Sequence, residues 1–289
     1  MNRTKLILII TTLFISGFKA DKPAYRLFDI EGKISSYENL IRDAAAADIV
    51  FYGELHNDPI SHWMELEITR DLYEIAGEDL VTGAEMFERD DQLIINEYLK
   101  GFYDASKFEA EAKLWKNYST DYKPLLEFAR EKNLRFIATN IPRRYASMVS
   151  RSGFNILDTL SEEARKYIVP LPFAYDPELK GYKDMLDMGG QAMAHVNENM
   201  PRAQAVKDAT MAYSILENWQ TGKTFIHYNG SYHSRNFEGI IWYLQQALPE
   251  LRIVSIETVL QEDISELEED NKGIASYIVC VPENMTRTY

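Results

Sequence analysis

Apolar and polar positions follow two rhythms along this chain. Short unbroken apolar runs, rich in β-branched and aromatic residues, occur at 49–52, 80–87, 134–139, 224–228, 252–256 and 276–281. Runs of that length and composition predict strands buried on both faces, as in a parallel sheet. Between them apolar residues recur at helical spacing. Met64, Ile68, Leu72 and Ile75 mark a helix over 59–76, and Val206, Ala209, Tyr213, Leu216 and Trp219 the buried face of another over 201–221. Asp58 before Pro59 reads as an N-cap with proline at the first helical position, and Gly77 and Gly222 stop the two helices. Further helices are predicted over 37–47, 91–101, 106–118, 124–133, 142–152 and 237–247, with an edge hairpin over 27–34. Tyr98, Phe102, Trp115 and Phe128 are assigned to the core. Prolines and glycines break up 155–199, which predicts a helical insertion or lid over the sheet. The stretch 257–270 carries seven acids and no base, the composition of a solvated loop or short exposed helix. Strands alternating with helices predict one α/β domain over 21–289, with a largely parallel central sheet flanked by helices.

Composition narrows the partners. The net charge is −14, and loss of the first 20 residues, which hold Arg3, Lys5 and Lys19 and no acid, makes it more negative. Such a chain is poorly suited to nucleic acid or anionic membrane surfaces. Arg3 and Lys5 precede an apolar run over 6–15, followed by Ser16, Gly17 and Ala20, the order of a secretory signal peptide. The expectation is therefore an exported, periplasmic or envelope-associated protein. Cys280 is the sole cysteine, so no N-terminal cysteine can be lipidated and no internal disulfide can form. Its apolar surroundings predict a buried strand position.

Candidate chemistry gathers at the strand ends. Glu54 and His56 follow the first buried strand, Glu85 ends the second, Asn140, Arg143 and Arg144 follow the third, and His233 follows the fourth. In a parallel sheet all of these rise on one edge, where open α/β folds bind their ligands. Residues 53–56 and 230–233 are both G-x-x-H, each directly after an apolar strand. Arg143 and Arg144 occupy the first turn of a helix, an already positive end that calls for an anion or carboxylate. Gln204 and Asp208 form an i, i+4 polar pair, and Asp208 joins the candidate cofactor-binding residues.

These blocks resemble the ChaN-like haem-binding proteins, in the superfamily that includes Tiki proteases and is similar in fold to erythromycin esterases. The resemblance rests on G-E-L-H-N-D at 53–58, A-E-M-F-E-R-D-D-Q at 84–92 and D-Y-K-P-L-L-E-F-A-R at 121–130. A-T-N-I-P-R-R at 138–144, A-Q-A-V-K-D-A-T-M-A at 203–212 and G-S-Y-H at 230–233 complete it. It implies an exported protein that holds haem, in some members as cofacial pairs across a homodimer with tyrosine on the iron. It also implies a role in haem or iron uptake, with outer-membrane uptake machinery as a partner. Many members are lipoproteins, and this chain departs from them in lacking the cysteine.

Ferric haem needs an axial donor, an apolar slot and cations for its propionates. Tyr175, Tyr182 and Tyr232, with His195, are the candidate donors; Met185 and Met188 supply soft packing, and Arg143 and Arg144 the cations. The alternative is a metal-dependent or esterase-like hydrolase. There His56, Glu85 and His233 would hold a divalent metal with Glu54 as general base, or, without metal, Glu54 would activate water or a histidine for ester cleavage.

Overall fold

The structure, a computed structural model, describes residues 22–187 and 198–289. The leader and His195 lie outside the described residues, as does Met188. In chain order the strands are β1 (Arg26–Asp29), β2 (Ile49–Glu54), β3 (Leu80–Glu88), β4 (Arg135–Asn140), β5 (Thr224–Gly230), β6 (Ile253–Gln261) and β7 (Tyr277–Pro282). They form one sheet in the order β1-β7-β6-β2-β5-β3-β4. Every neighbouring pair is parallel except β1 with β7. Phe28 also bridges Ile34 antiparallel, which gives the expected edge hairpin.

Alternate residues of the central strands feed two cores. Val50, Tyr52, Ile226 and Tyr228 pack under helices α1 (Tyr37–Ala45), α2 (Pro59–Ala76), α3 (Gln92–Leu99), α4 (Ala105–Glu111) and α5 (Lys123–Glu131). Ile49, Phe51 and Phe225 face the other way. On that second face lie α6 (Arg143–Ser152), α7 (Glu162–Arg165), α8 (Lys180–Asp187), α9 (Met200–Asn218) and α10 (Ile240–Ala247). Met211, Ala212, Ile240 and Leu244 complete the core there. The insertion anchors through Leu157 and Ile168, which pack with Val149 of α6 and Val206 of α9. The buried Cys280 sits in β7 as expected.

Edge strand β4 is closed by a side chain. Gln92 donates through Nε2 to the Phe136 carbonyl at 2.9 Å and accepts from the Ala138 N–H at 2.7 Å, the two bonds a neighbouring strand would make.

Several expectations are corrected. Ile75 and Phe102 are exposed, at 59% and 70%, while Phe108 takes the core position near Tyr98. The helix expected over 106–118 stops at Glu111, and the chain re-enters through a wide π-type turn, Tyr118–Tyr122. That turn lets Asn117 reach the His56 carbonyl and Tyr122 reach Glu54. The acid-rich stretch is not simply a solvated loop: β6 runs to Gln261, and Glu257, Ile264 and Leu267 are buried. Strand pairing with β2 and β7 outweighs the composition.

Candidate functional site

The carboxyl ends of β2, β3, β4 and β5 open onto one cleft of about 640 Å³. Glu54, His56, Glu85, Asn140, Arg143 and His233 all line it, so the strand-end set converges except for Arg144. A register shift in β3 between Ala84 and Glu88 swings Glu85 out of the ladder, a common device at functional rims. Asn140 secures that bend by donating to the Glu85 carbonyl at 3.0 Å.

Both motif glycines have a steric cause. A Cβ on Gly230 would lie 2.7 Å from Cε1 of His56, so the second motif leaves room for the first motif's histidine. A Cβ on Gly53 would lie 2.2 Å from Glu257 Oε2.

Two buried carboxylate–imidazole systems support the rim. In the first, His56 donates from Nδ1 to Glu54 Oε1 at 2.5 Å, and Tyr122 Oη donates to the same oxygen at 2.7 Å. Burial opposes ionisation of Glu54, but the bonds from His56 and His62 outweigh it and hold the carboxyl at about 2. The His56 ring is 38% exposed and stands edge-on to Trp115 at 5.0 Å. Burial lowers its pKa, yet Glu54 and Glu85 raise it on balance. In the second system, His233 lies between Glu85 Oε1, at 3.0 Å from Nε2, and Asp208 Oδ1, which bonds Nδ1. Glu85 Oε2 also accepts the Gly230 N–H at 2.8 Å. Burial disfavours the His233 cation, but Glu85 and Asp208 lift its pKa to about 9. Burial likewise disfavours the Glu85 carboxylate, and the His233 charge more than reverses this. The polar pair on α9 thus meets one target, for Gln204 lies against the same ring.

The remaining predicted residues separate. Tyr232 lines the cleft and is 55% exposed. Tyr182 is buried and donates to Asp208 Oδ2 at 2.8 Å; burial and that carboxylate both favour the phenol over the phenolate. It therefore braces Asp208 and does not face the cleft. Tyr175 packs on Phe154 and Tyr182, also away from the lining. Asp208 lies behind His233, fully buried. Arg143 lines the cleft with its Nε 3.3 Å from Glu88, whereas Arg144 turns to Asp90 at 2.6 Å in a neighbouring groove. The positive helix start is answered by carboxylates. Lys207, which the sequence reading missed, supplies a second cation to the lining.

The metal set His56, Glu85 and His233 is corrected. Among the described residues their donor atoms do not gather within 4.8 Å of one another; those of Glu54, His62 and Glu65 do. Glu54 stands at the cleft with its side chain fully buried, so of its two expected roles the geometry suits action through His56 and not directly on a water.

His62, Glu65 and Asp121 were also missed. A signal existed: Ser61, Glu65 and Thr69 repeat every four residues beside the apolar stripe Met64, Ile68 and Leu72, and both stripes are buried.

A family model for haem-binding uptake proteins of the Tiki superfamily, ChaN, matches residues 40–244. The chain belongs to this family. ChaN of Campylobacter jejuni, in a structure with cofacially bound haem, shares the fold with a TM-score of 0.65 at 16% identity, over 88% of this chain and 96% of that one. An erythromycin esterase mutant in its open conformation has a TM-score of 0.48 at 13% identity, over 89% and 82% of the two chains. A Bacillus cereus protein also has a TM-score of 0.48 at 13% identity, over 85% and 90%. No curated protein matches the sequence. Membership in the ChaN family accords with the shared fold.

Proposed function

We propose that this protein binds haem in the rim cleft, as an exported component of haem or iron handling. The observation that carries the reading is the cleft's lining, in a chain of a haem-binding family. Leu55, Trp115, Ile141, Ala146, Met185 and Ala203 give apolar surface, Tyr232 a phenol at the mouth, and Arg143 and Lys207 cations. Its volume falls in the range of about 300–1,000 Å³ usual for cofactor pockets. The residues present therefore fit the group: Tyr232 would supply the donor to iron, and Arg143 and Lys207 the cations for the propionates. The basic, apolar, small-residue order of residues 1–20 supports export to the periplasm or envelope. Two exposed side chains at the rim, Met200 and Tyr232, support a homodimer meeting mouth to mouth. Hemin titrated into the pure protein should sharpen and shift the Soret band with saturation at stoichiometric ligand. Tyr232→Phe should weaken binding at least tenfold, while Tyr175→Phe leaves it unchanged. Equal affinity in Tyr232→Phe would remove that donor, and no spectral change in the parent would remove haem.

A second reading, esterase-like hydrolysis, is favoured by the His56–Glu54 bond. A buried carboxylate on Nδ1 fixes the tautomer and leaves Nε2 as a general base. Here Glu54 orients the base and does not itself touch water. Glu54→Gln should lower turnover of a susceptible ester by up to about 10⁴-fold, the loss expected when the carboxylate that fixes a catalytic imidazole's tautomer is removed. Undiminished turnover in that variant would end this reading.

A further inference from the structure

We propose that Glu54, His62 and Glu65 form a binding site for one first-row divalent metal ion, zinc by preference, behind the cleft and joined to it through Glu54. Strand β2 delivers Glu54, and the first turns of α2 deliver His62 and Glu65 one turn apart. Asp58 fixes where that helix begins by accepting from the N–H groups of Ile60 and Ser61 at 3.0 and 2.9 Å. His62 Nδ1 lies 3.1 Å from Glu54 Oε2 and 3.4 Å from Glu65 Oε2. A tetrahedral ion with ligand bonds of about 2.0–2.1 Å has edges of about 3.3 Å between its ligand atoms. The three side chains thus already stand at coordination spacing.

Three further observations point to a cation. Glu65 Oε1 is buried without a hydrogen-bond donor, and Glu54 Oε2 has only the His62 imidazole, at 3.1 Å. Glu54, Glu65 and Asp121 surround a single imidazole, and no lysine or arginine pairs with them among the described residues. Buried carboxylates in that ratio need a proton or an ion to offset their charge. The far nitrogen of His62, Nε2, lies 3.2 Å from the His56 carbonyl and 3.3 Å from Asp121 Oδ2. A carbonyl or carboxylate on the far nitrogen is what orients metal-bound histidines and turns the other nitrogen to the ion. One imidazole with two carboxylates suits zinc among the available ions. Binding would release the protons that otherwise occupy the cluster. It would also hold Glu54 from behind, with Oε1 left to orient His56.

The test uses the full chain, stripped with chelator and then dialysed against zinc sulfate. Elemental analysis should find one zinc per chain, with a melting temperature several degrees above the stripped protein. Glu65→Gln should lose both the ion and the shift, and Glu85→Gln, in the other cluster, should keep them. Zinc-edge X-ray absorption of the loaded parent should count one imidazole, a result that does not depend on any variant folding. Absence of stoichiometric zinc, retention of zinc by Glu65→Gln, or two imidazoles on the ion would each overturn the proposal. Hemin binding by the stripped protein is measured separately and has no bearing on the outcome.

Discussion

Between pH 6.5 and 8 the protein should lose stability as pH rises, and equilibrium unfolding at several pH values should record the decline. Several buried groups share the sign, His62 and Glu65 among them, and His233 and Glu257 show how it arises. His233 has a folded pKa of about 9, because Glu85 and Asp208 outweigh the effect of its burial. Its contribution is complete below the unfolded value of about 6.5 and disappears as pH rises through 9. Glu257 is held protonated to about 8 by burial, against the opposing bond from Ser234. The unfolded carboxyl ionises above about 4.3, so the folded chain again holds the extra proton and stability again falls with pH. Each retained proton steepens the decline by about 1.4 kcal/mol per pH unit. Across the window the two together amount to several kcal/mol, a large share of the usual ~5–15 kcal/mol. Glu257→Gln should remove one proton's worth of slope. A flat profile for the parent, or an unchanged slope in the variant, would contradict this account.

Gly53→Ala should be among the most damaging single-methyl additions in the chain. Gly53 and Glu257 are register partners on β2 and β6, and the new Cβ would lie 2.2–2.4 Å from the three carboxyl atoms. The carboxyl has no free space to enter: Ser234 bonds Oε1 at 2.5 Å, and Glu257 is fully buried. Overpacking of a tight core costs about 1–3 kcal/mol, and displacement of a buried carboxyl from its donor adds about 1–3 kcal/mol. Gly53→Ala combined with Glu257→Ala should recover more than half of that loss, since the second change removes the colliding atoms. A double-mutant cycle measured by denaturant unfolding decides the matter. Purely additive losses would show that the glycine is needed for another reason.

The sheet and the rim were largely legible in the sequence, because both follow from local pattern. A buried strand that ends in glycine and then in ionisable residues identifies its own carboxyl end, and Glu54, His56, Glu85 and His233 converge as that rule requires. What the sequence hid depends on burial, which side-chain identity alone does not reveal. Glu257 stood first in an acid-rich run that looks solvated, yet the sheet continues through it. His62 and Glu65 lie on a helix whose apolar stripe explained its packing, so the adjacent polar stripe drew no role. Tyr182 was distinguishable from Tyr232 only by its partner, a carboxylate on α9 distant in sequence. The two arginines of α6 called for negative partners, and Glu88 and Asp90 from the end of β3 fill that need.

The Gln92 amide that seals β4 limits how copies of this molecule can associate. With the Phe136 carbonyl and the Ala138 N–H already engaged, a strand from another molecule cannot zip onto that flank without first evicting the glutamine. Ribbon-like growth by end-to-end sheet extension is thereby blocked on this side, which leaves the mouth and the helical faces for self-association.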